Sequence, residues 1–181
     1  MGGRIGEKSR PAENDKMKTL YIMRHAKSSW SEPGIADIER TLNERGLRTA
    51  PFIGKMMHEK GLAPDVILTS TAVRARHTAA LVKEAGKLRG VLQFEPRIYE
   101  ASPNGLRQVV SELAKTHKSA MIVGHNPGIE GFIRFLTGGL EPMPTAALAV
   151  IELNIDKWND ANDGCGTLQT VIRPKEEMKE R

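Results

Sequence analysis

Cysteine is nearly absent from this sequence, since Cys165 is the only one among its 181 residues. No disulfide can form within the chain, and a reducing compartment is the simplest expectation. Aromatic residues make up only 4% of the sequence, so aliphatic side chains and methionine must fill the core. A chain of this length is expected to form one domain, which can bury about two thirds of its unfolded surface without cross-links.

Long apolar segments are also missing. No run approaches the roughly 20 apolar residues that a membrane-spanning helix requires. The first 16 residues, MGGRIGEKSRPAENDK, are polar and lack the apolar segment of a secretory signal. We therefore expect a cytoplasmic protein with no membrane partner, composed of a disordered leader over 1–16, one domain over 17–174 and a charged tail over 175–181.

The charge balance is basic, with a formal net charge of +5 and a sequence pI near 9.4. A basic chain favours anionic partners such as phosphates, acidic protein surfaces or nucleic acid. The sequence has no block rich in Lys and Arg with interleaved aromatic residues, which argues against nucleic acid. The composition thus predicts an anionic ligand and leaves its kind open.

Short apolar segments alternate with stretches that carry apolar residues at helical spacing. The predicted strands span 19–23, 65–70, 92–96, 119–125, 147–154 and 166–173. The predicted helices span 43–61, 72–86, 105–117 and 128–139. Strands separated by helices indicate an α/β fold with helices on both faces of a largely parallel sheet. Ligands bind such sheets beyond the carboxyl ends of the strands.

Three of the predicted strands lead into residues suited to phosphate chemistry. Arg24 and His25 follow the first strand, Arg74 follows the second, and His125 ends the fourth. Guanidinium groups match the oxygens of a phosphoryl group, and a neutral imidazole is a competent nucleophile. Neighbouring arginines disfavour the imidazolium form, so they hold a histidine in its nucleophilic state. If these strand ends meet, the pattern predicts a phosphoryl-transfer site.

The segments around these residues resemble the signatures of the histidine phosphatase superfamily, which has the phosphoglycerate-mutase-like fold. RHAKSSW resembles its Arg-His-Gly signature, with Ala26 in place of glycine, and VGHNPG resembles the segment of its second histidine. STAVRARHT resembles its Ser-x-x-x-Arg-Ala-x-x-Thr segment, which selects Arg74 over Arg76. The resemblance covers residues 18–155 and is strongest to the SixA-type phosphohistidine phosphatases. It implies a three-layer α/β/α sandwich.

The resemblance also implies roles for the matching residues. His25 becomes phosphorylated, Arg24, Arg74 and His125 bind the phosphoryl group, and no metal or organic cofactor takes part. Glu100 lies in the loop where relatives carry an acidic residue, so it is a candidate general acid, with a solvated loop carboxylate or an ion-pair partner as the alternative. The further candidate phosphate or substrate contacts are Lys27, Ser28, Ser31 and Asn126, with loop capping as the alternative for the two serines.

The segment between Arg74 and His125 is filled by a predicted strand, loop and helix, which leaves little or no room for a helical lid. An open, basic site suits a phosphate on a protein surface, so a phosphohistidine-bearing protein is the favoured substrate. A broad small-molecule phosphomonoesterase and a phosphate-binding module without turnover are the alternatives. Lys27 and Ser31 replace the Glu and Asn typical of mutases, which argues against mutase activity. We expect a monomer or a weak dimer.

Overall fold

The computed structural model describes residues 16–179. Residues 1–15 of the predicted leader and the last two residues of the predicted charged tail lie outside the described residues. The division into leader, domain and tail stays a prediction. Over 16–179, no helix is both long enough and apolar enough to span a bilayer.

A six-stranded sheet in the order β3-β2-β4-β1-β5-β6 forms the centre of the fold. Its strands are β1 Lys18–Arg24, β2 Val66–Thr69, β3 Val91–Phe94, β4 Ser119–Gly124, β5 Leu148–Leu153 and β6 Gly166–Ile172. The first four strands are parallel to one another. Strand β5 pairs antiparallel with β1, and β6 pairs antiparallel with β5. The predicted largely parallel sheet is confirmed.

Helices cover both faces of this sheet. The helices are α1 Glu44–Glu59, α2 Val73–Ala85, α3 Pro103–Ser111, α4 Gly128–Thr137 and α5 Pro174–Lys179. In β1, Leu20 and Ile22 lie in the core formed with α3 and α4, whereas Tyr21 and Met23 lie in the core formed with α1 and α2. Successive residues of a strand point to opposite faces, so the apolar run at 20–23 is buried on both faces of the sheet. The predicted three-layer α/β/α arrangement is confirmed.

Two segments differ from the predicted elements. Helix α3 ends at Ser111 rather than at residue 117. Lys18 Nζ donates hydrogen bonds to the carbonyls of Lys115 and His117 at 2.7 and 2.9 Å, and these tertiary contacts fix the following segment as turns. Part of the predicted tail forms the short helix α5, whose first residue, Pro174, is buried. Proline suits this position because it has no backbone N–H to leave unpaired.

Between α2 and β4, a segment that is described throughout, α3 is the only α-helix. The segment contains only β3, a 3-10 turn at Pro96–Ile98 and α3. The carboxyl edge of the sheet therefore has no helical lid from this segment, as expected. The loop between β1 and α1 carries a second 3-10 helix, Asp37–Glu39, which contacts α2.

Candidate active site

The carboxyl ends of β1, β4 and β2, which are neighbours in the sheet, bring the predicted arginines and histidines together. His25 and His125 follow β1 and β4, and their ring centroids lie 5.1 Å apart. Arg74, in the first turn of α2, places Nε 3.4 Å from His25 Nε2 and Nη2 3.4 Å from His125 Nδ1. Arg24 is the last residue of β1. We refer to Arg24, His25, Arg74 and His125 as the Arg–His cluster.

Burial and hydrogen bonding keep His25 neutral and fix its tautomer. Its Nδ1–H donates to the carbonyl of Ala26 at 2.7 Å, because a carbonyl can only accept. Nε2 therefore carries the lone pair and faces Nε of Arg74, which can only donate. Burial is the main cause that lowers the pKa of His25 from 6.5 to about 3. The hydrogen bond to Ala26 acts in the opposite direction, and repulsion by His125, Arg74 and Arg24 lowers the pKa further. Nε2 is thus available as a nucleophile at neutral pH.

His125 is held by Ser70, a residue that the sequence reasoning did not assign to the site. His125 Nδ1 accepts from Arg74, so the opposite nitrogen carries the proton and donates to Ser70 Oγ at 2.7 Å. Ser70 is fully buried, and its Oγ also accepts from the backbone N–H of Ala72 at 3.2 Å. Burial and then the charge of Arg74 lower the pKa of His125 to about 4. The serine that opens the Ser-x-x-x-Arg segment was the signal that could have identified it.

Thr78 ties α2 to the loop that follows β1. Its Oγ1 accepts from the backbone N–H of Ala26 at 3.0 Å and donates to the carbonyl of Arg74 at 2.6 Å. Ala26, which stands where the superfamily signature has glycine, is fully buried in the core shared with α1 and α2. Its methyl group therefore packs in that core, and the bond to Thr78 fixes the backbone next to His25.

Arg24 places a buried hydrogen-bond donor at the end of β1. Its Nη1 donates to the carbonyl of Met143 at 3.2 Å, while Nε is buried without a partner among the described residues. The side chain lines a cavity of about 660 Å³ together with Glu130 and Arg173. Burial is the main cause that lowers the pKa of Arg24. Because buried donors are normally paired, Arg24 Nε is a candidate donor to a bound anion.

A cavity of about 680 Å³ opens beside the Arg–His cluster, and Glu100 and Asn126 both line it. Glu100 is exposed, has a backbone φ of 55°, and its carboxylate forms no hydrogen bond among the described residues. The amide nitrogen of Asn126 donates to Glu130 Oε1 and to the carbonyl of Met143 at 2.8 and 3.0 Å. Asn126 would have to break one of these bonds to donate to a phosphate. Both predicted residues thus face the cavity without bonding to the cluster.

The other three predicted contacts lie in the loop after β1. Lys27 is exposed, and Ser28 is buried in a backbone bridge with Leu42. Ser31 is exposed, and its Oγ lies 2.7 Å from Ser29 Oγ. Over residues 16–179, none of the three predicted side chains forms a hydrogen bond with the Arg–His cluster. Their role as substrate contacts stays a prediction.

Asp37 and Tyr99 complete the surroundings of Arg74, and the sequence reasoning missed both. Arg74 donates from Nη1 to the main-chain oxygen of Asp37 at 2.6 Å and from Nη2 to its Oδ2 at 3.0 Å. Tyr99 OH donates to the same Oδ2 at 2.6 Å, and Arg40 Nε donates to Oδ1 at 3.1 Å. The bond from Tyr99, followed by that from Arg74, lowers the pKa of Asp37 to about 2. The bond to Asp37 in turn raises the pKa of Tyr99 to about 12.

The Arg–His cluster therefore surrounds a neutral nucleophile with fixed positive charge. Guanidinium donors suit phosphoryl oxygens, and His25 Nε2 has a lone pair directed into the same space. Over residues 16–179, no group of three or more His, Cys, Asp or Glu side chains is arranged to hold a metal ion. The arrangement can bind a phosphoryl group and accept it on His25.

Comparison with known proteins identifies the class to which this fold and cluster belong. The chain belongs to the histidine phosphatase superfamily, and the sequence model of branch 1 of that superfamily matches residues 20–104. The match contains Arg24, His25 and Arg74, as well as the loop that carries Asp37.

Relatives cover most of the chain. An uncharacterized protein of Mycobacterium tuberculosis is 31% identical over 157 residues, which is 81% of this chain and 96% of the relative. A protein assigned as the phosphohistidine phosphatase SixA of Agrobacterium tumefaciens is 28% identical, with a TM-score of 0.75 over 87% of this chain and 98% of that chain. The protein histidine phosphatase SixA complexed with tungstate is 19% identical and shares the fold, with a TM-score of 0.72 over 88% of this chain and 99% of that chain. The predicted fold and the predicted similarity to SixA-type proteins are confirmed.

Proposed function

We propose that this protein is a phosphatase that takes a phosphoryl group onto His25 Nε2 and then hydrolyses it, with protein phosphohistidine as its favoured substrate. The observation that carries the proposal is the state of His25, which is buried, neutral and directs its Nε2 lone pair toward Arg74. A guanidinium beside a base disfavours protonation of that base. The geometry therefore favours nucleophilic attack on a bound anion over proton transfer.

The reaction proceeds in two displacements at phosphorus. In the first, His25 Nε2 forms a bond to phosphorus while the bond from phosphorus to the leaving nitrogen or oxygen breaks. In the second, a water oxygen forms a bond to phosphorus while the bond from phosphorus to Nε2 breaks. The electron pair of that bond returns to Nε2, and both protons of the water leave on the inorganic phosphate. Arg24 and Arg74 stabilise the charge on the phosphoryl oxygens in both steps. His125 joins them once its Nδ1, which accepts from Arg74 in the free protein, carries a proton. Neutral His25 is regenerated at the end.

Protein phosphohistidine is favoured because both the leaving group and the access to the site suit it. An alkoxide needs a positioned acid that typically contributes ~10²–10⁴-fold, whereas imidazole leaves with less assistance. Glu100, the candidate acid, is exposed and forms no hydrogen bond with the cluster within residues 16–179. The segment between α2 and β4 places no helical lid over the site. Two SixA proteins, one named as a phosphohistidine phosphatase and one as a protein histidine phosphatase, share the fold.

The test compares turnover of a phosphohistidine-bearing protein with that of p-nitrophenyl phosphate. We expect His25→Ala to abolish turnover of both substrates and Glu100→Gln to retain turnover of phosphohistidine. His77→Ala is the matched control, because His77 is an exposed histidine of α2, and it should behave as wild type. If wild-type protein turns over neither substrate, the alternative of a phosphate-binding module replaces the proposal.

A small-molecule phosphomonoesterase is the second candidate. The observation that favours it is the cavity of about 680 Å³ beside Arg74, which is large enough for a small leaving group and carries Glu100 on its wall. This alternative predicts good turnover of sugar phosphates. It also predicts that Glu100→Gln lowers ester turnover by about 100-fold or more, because an alkoxide then leaves without an acid.

We also propose a cytoplasmic location and a monomer or weak dimer. The single cysteine, which excludes an internal disulfide, supports the reducing compartment. Cell fractionation with an antibody against the chain tests the location, and sedimentation velocity tests the oligomeric state.

A further inference from the structure

The two edges of the Arg74 guanidinium have different partners. One edge, formed by Nη1 and one N–H of Nη2, donates to the main-chain oxygen and to Oδ2 of Asp37 at 2.6 and 3.0 Å. The other edge, formed by Nε and the second N–H of Nη2, points at His25 Nε2 and His125 Nδ1, each at 3.4 Å. Because a guanidinium is a rigid planar fork, fixing one edge also fixes the direction of the other.

Asp37 is itself held in place from three sides. Tyr99 OH donates to Oδ2 at 2.6 Å, and Arg40 Nε donates to Oδ1 at 3.1 Å. The loop that carries Asp37 is closed at its base, where the backbone N–H of Ser29 donates to the carbonyl of Thr41 at 2.8 Å. The low pKa of Asp37 keeps its carboxylate ionised at neutral pH. A charged, anchored carboxylate of this kind restricts the side chain to which it is bonded.

We propose that Asp37, anchored by Tyr99, is a positioning residue that aims the Nε/Nη2 edge of Arg74 at the phosphoryl group on His25. The inference rests on the proposed function, because it requires Arg74 to bind the phosphoryl oxygens. A phosphoryl group on His25 Nε2 meets the edge of Arg74 that faces His25, and Asp37 occupies the opposite edge. Asp37 therefore orients Arg74 without taking the place of the substrate.

Oxyanion binding and ester turnover test this role without knowledge of the physiological substrate. The experiment measures the affinity for tungstate by calorimetry and kcat/KM for p-nitrophenyl phosphate in wild type and Asp37→Asn. Loss of a partner that orients a binding side chain typically costs about 10- to 100-fold, so we expect both quantities to fall by at least 10-fold. Glu39→Gln removes the same charge from the same exposed 3-10 helix and should stay within twofold of wild type.

A second background separates positioning from general structural damage. If Asp37 acts through Arg74, then Asp37→Asn causes no further loss of tungstate affinity in a chain that already carries Arg74→Ala. A purely structural role would give the same loss in both backgrounds. Tyr99→Phe removes one bond to Asp37 Oδ2 and should cause a smaller loss in the same direction. This variant also serves as the test if Asp37→Asn does not fold.

Three further results would overturn the inference, and they are distinguishable. Tighter tungstate binding by Asp37→Asn would mean that the carboxylate competes with the anion for Arg74. Unchanged binding by Asp37→Asn, together with weakened binding by Arg74→Ala, would leave the proposed function intact and remove the role of Asp37. If wild-type protein binds no tungstate and turns over no ester or phosphohistidine, the proposed function fails first and the inference fails with it.

Discussion

At the residue scale, the proposed chemistry depends on which nitrogen of each histidine carries the proton. The carbonyl of Ala26 accepts from Nδ1 of His25, and Ser70 Oγ accepts from Nε2 of His125. Each ring therefore turns its unprotonated nitrogen toward Arg74. One buried guanidinium thus faces the unprotonated nitrogens of both rings. A phosphoryl group that enters this space accepts hydrogen bonds from Arg74 and lies next to the nucleophilic Nε2 of His25.

The first prediction concerns stability against pH. The pKa values of His25 and His125 are lowered to about 3 and about 4, so between these values and 6.5 the unfolded chain binds protons that the folded chain does not. The contribution of these two histidines to the free energy of unfolding is therefore fully present above pH 6.5 and is lost as the pH falls. At pH 5, each of the two histidines should lower the free energy of unfolding by about 2 kcal/mol relative to its value at pH 7.5. Urea unfolding at the two pH values measures the loss.

The control for this prediction is His25→Asn, which removes one of the two titrating groups. Its loss of unfolding free energy between pH 7.5 and pH 5 should be smaller than that of wild type by about 2 kcal/mol. Equal losses in the two proteins would show that His25 is not held neutral in the folded state.

The second prediction concerns Ser70. Ser70→Ala removes the acceptor of the His125 Nε2 proton, so the ring is free to rotate and to change its tautomer. We expect kcat for p-nitrophenyl phosphate to fall by about 10-fold, as for other residues that orient a functional imidazole. Ser111→Ala on α3 is the control, because Ser111 Oγ donates to the carbonyl of Gln108 within the same helix. Wild-type activity in Ser70→Ala would contradict the role of this bond.

At the element scale, the site depends on how closely the start of α1 approaches the loop after His25. The backbone N–H of Asn43 donates to the carbonyl of Lys27 at 3.0 Å, and Asn43 Oδ1 caps the helix by accepting from the N–H of Gly46. A Cβ at Gly46 would overlap the carbonyl oxygen of Lys27. Only glycine allows α1 and the loop to meet here without displacement.

The third prediction follows from this contact. Gly46→Ala should lower the free energy of unfolding by about 1–3 kcal/mol, because the helix or the loop must move to accept the methyl group. Gly105→Ala is a matched change in the first turn of α3, where a Cβ would meet Ser102 Oγ at an ordinary 3.4 Å. It should leave stability within about 1 kcal/mol of wild type. If urea unfolding shows equal effects of the two changes, the close contact of Gly46 with the carbonyl of Lys27 does not require glycine.

Most of the secondary-structure elements were predictable because their apolar patterns are local. The apolar run at 66–68 and the helical spacing of α1 both identify their elements from the sequence alone. The end of α3 was not predictable, because contacts with Lys18 at the start of β1 determine it. Helix α5 was not predicted either. Its charged residues form no apolar pattern, and the helix packs against the domain through the buried Pro174.

At the scale of the whole molecule, the sheet order explains which part of the site was predictable. Strands β2, β4 and β1 are adjacent and parallel, so residues at their carboxyl ends meet, and the sequence places His25, Arg74 and His125 there. Asp37 and Tyr99 are 62 residues apart, on two loops with no periodic pattern. Their contact depends on the paths of both loops in the folded protein, so no local sequence pattern predicts it.

The most direct test of the central claim is to look for the covalent phosphoenzyme. A phosphohistidine-bearing protein with labelled phosphate is mixed with the enzyme, quenched in alkali within one turnover and digested, and the labelled residue is identified. Our account predicts label on His25 at Nε2, its absence in His25→Ala and its retention in the exposed control His77→Ala. Release of phosphate with no label on His25 at any time, or with label on a different residue, would contradict it.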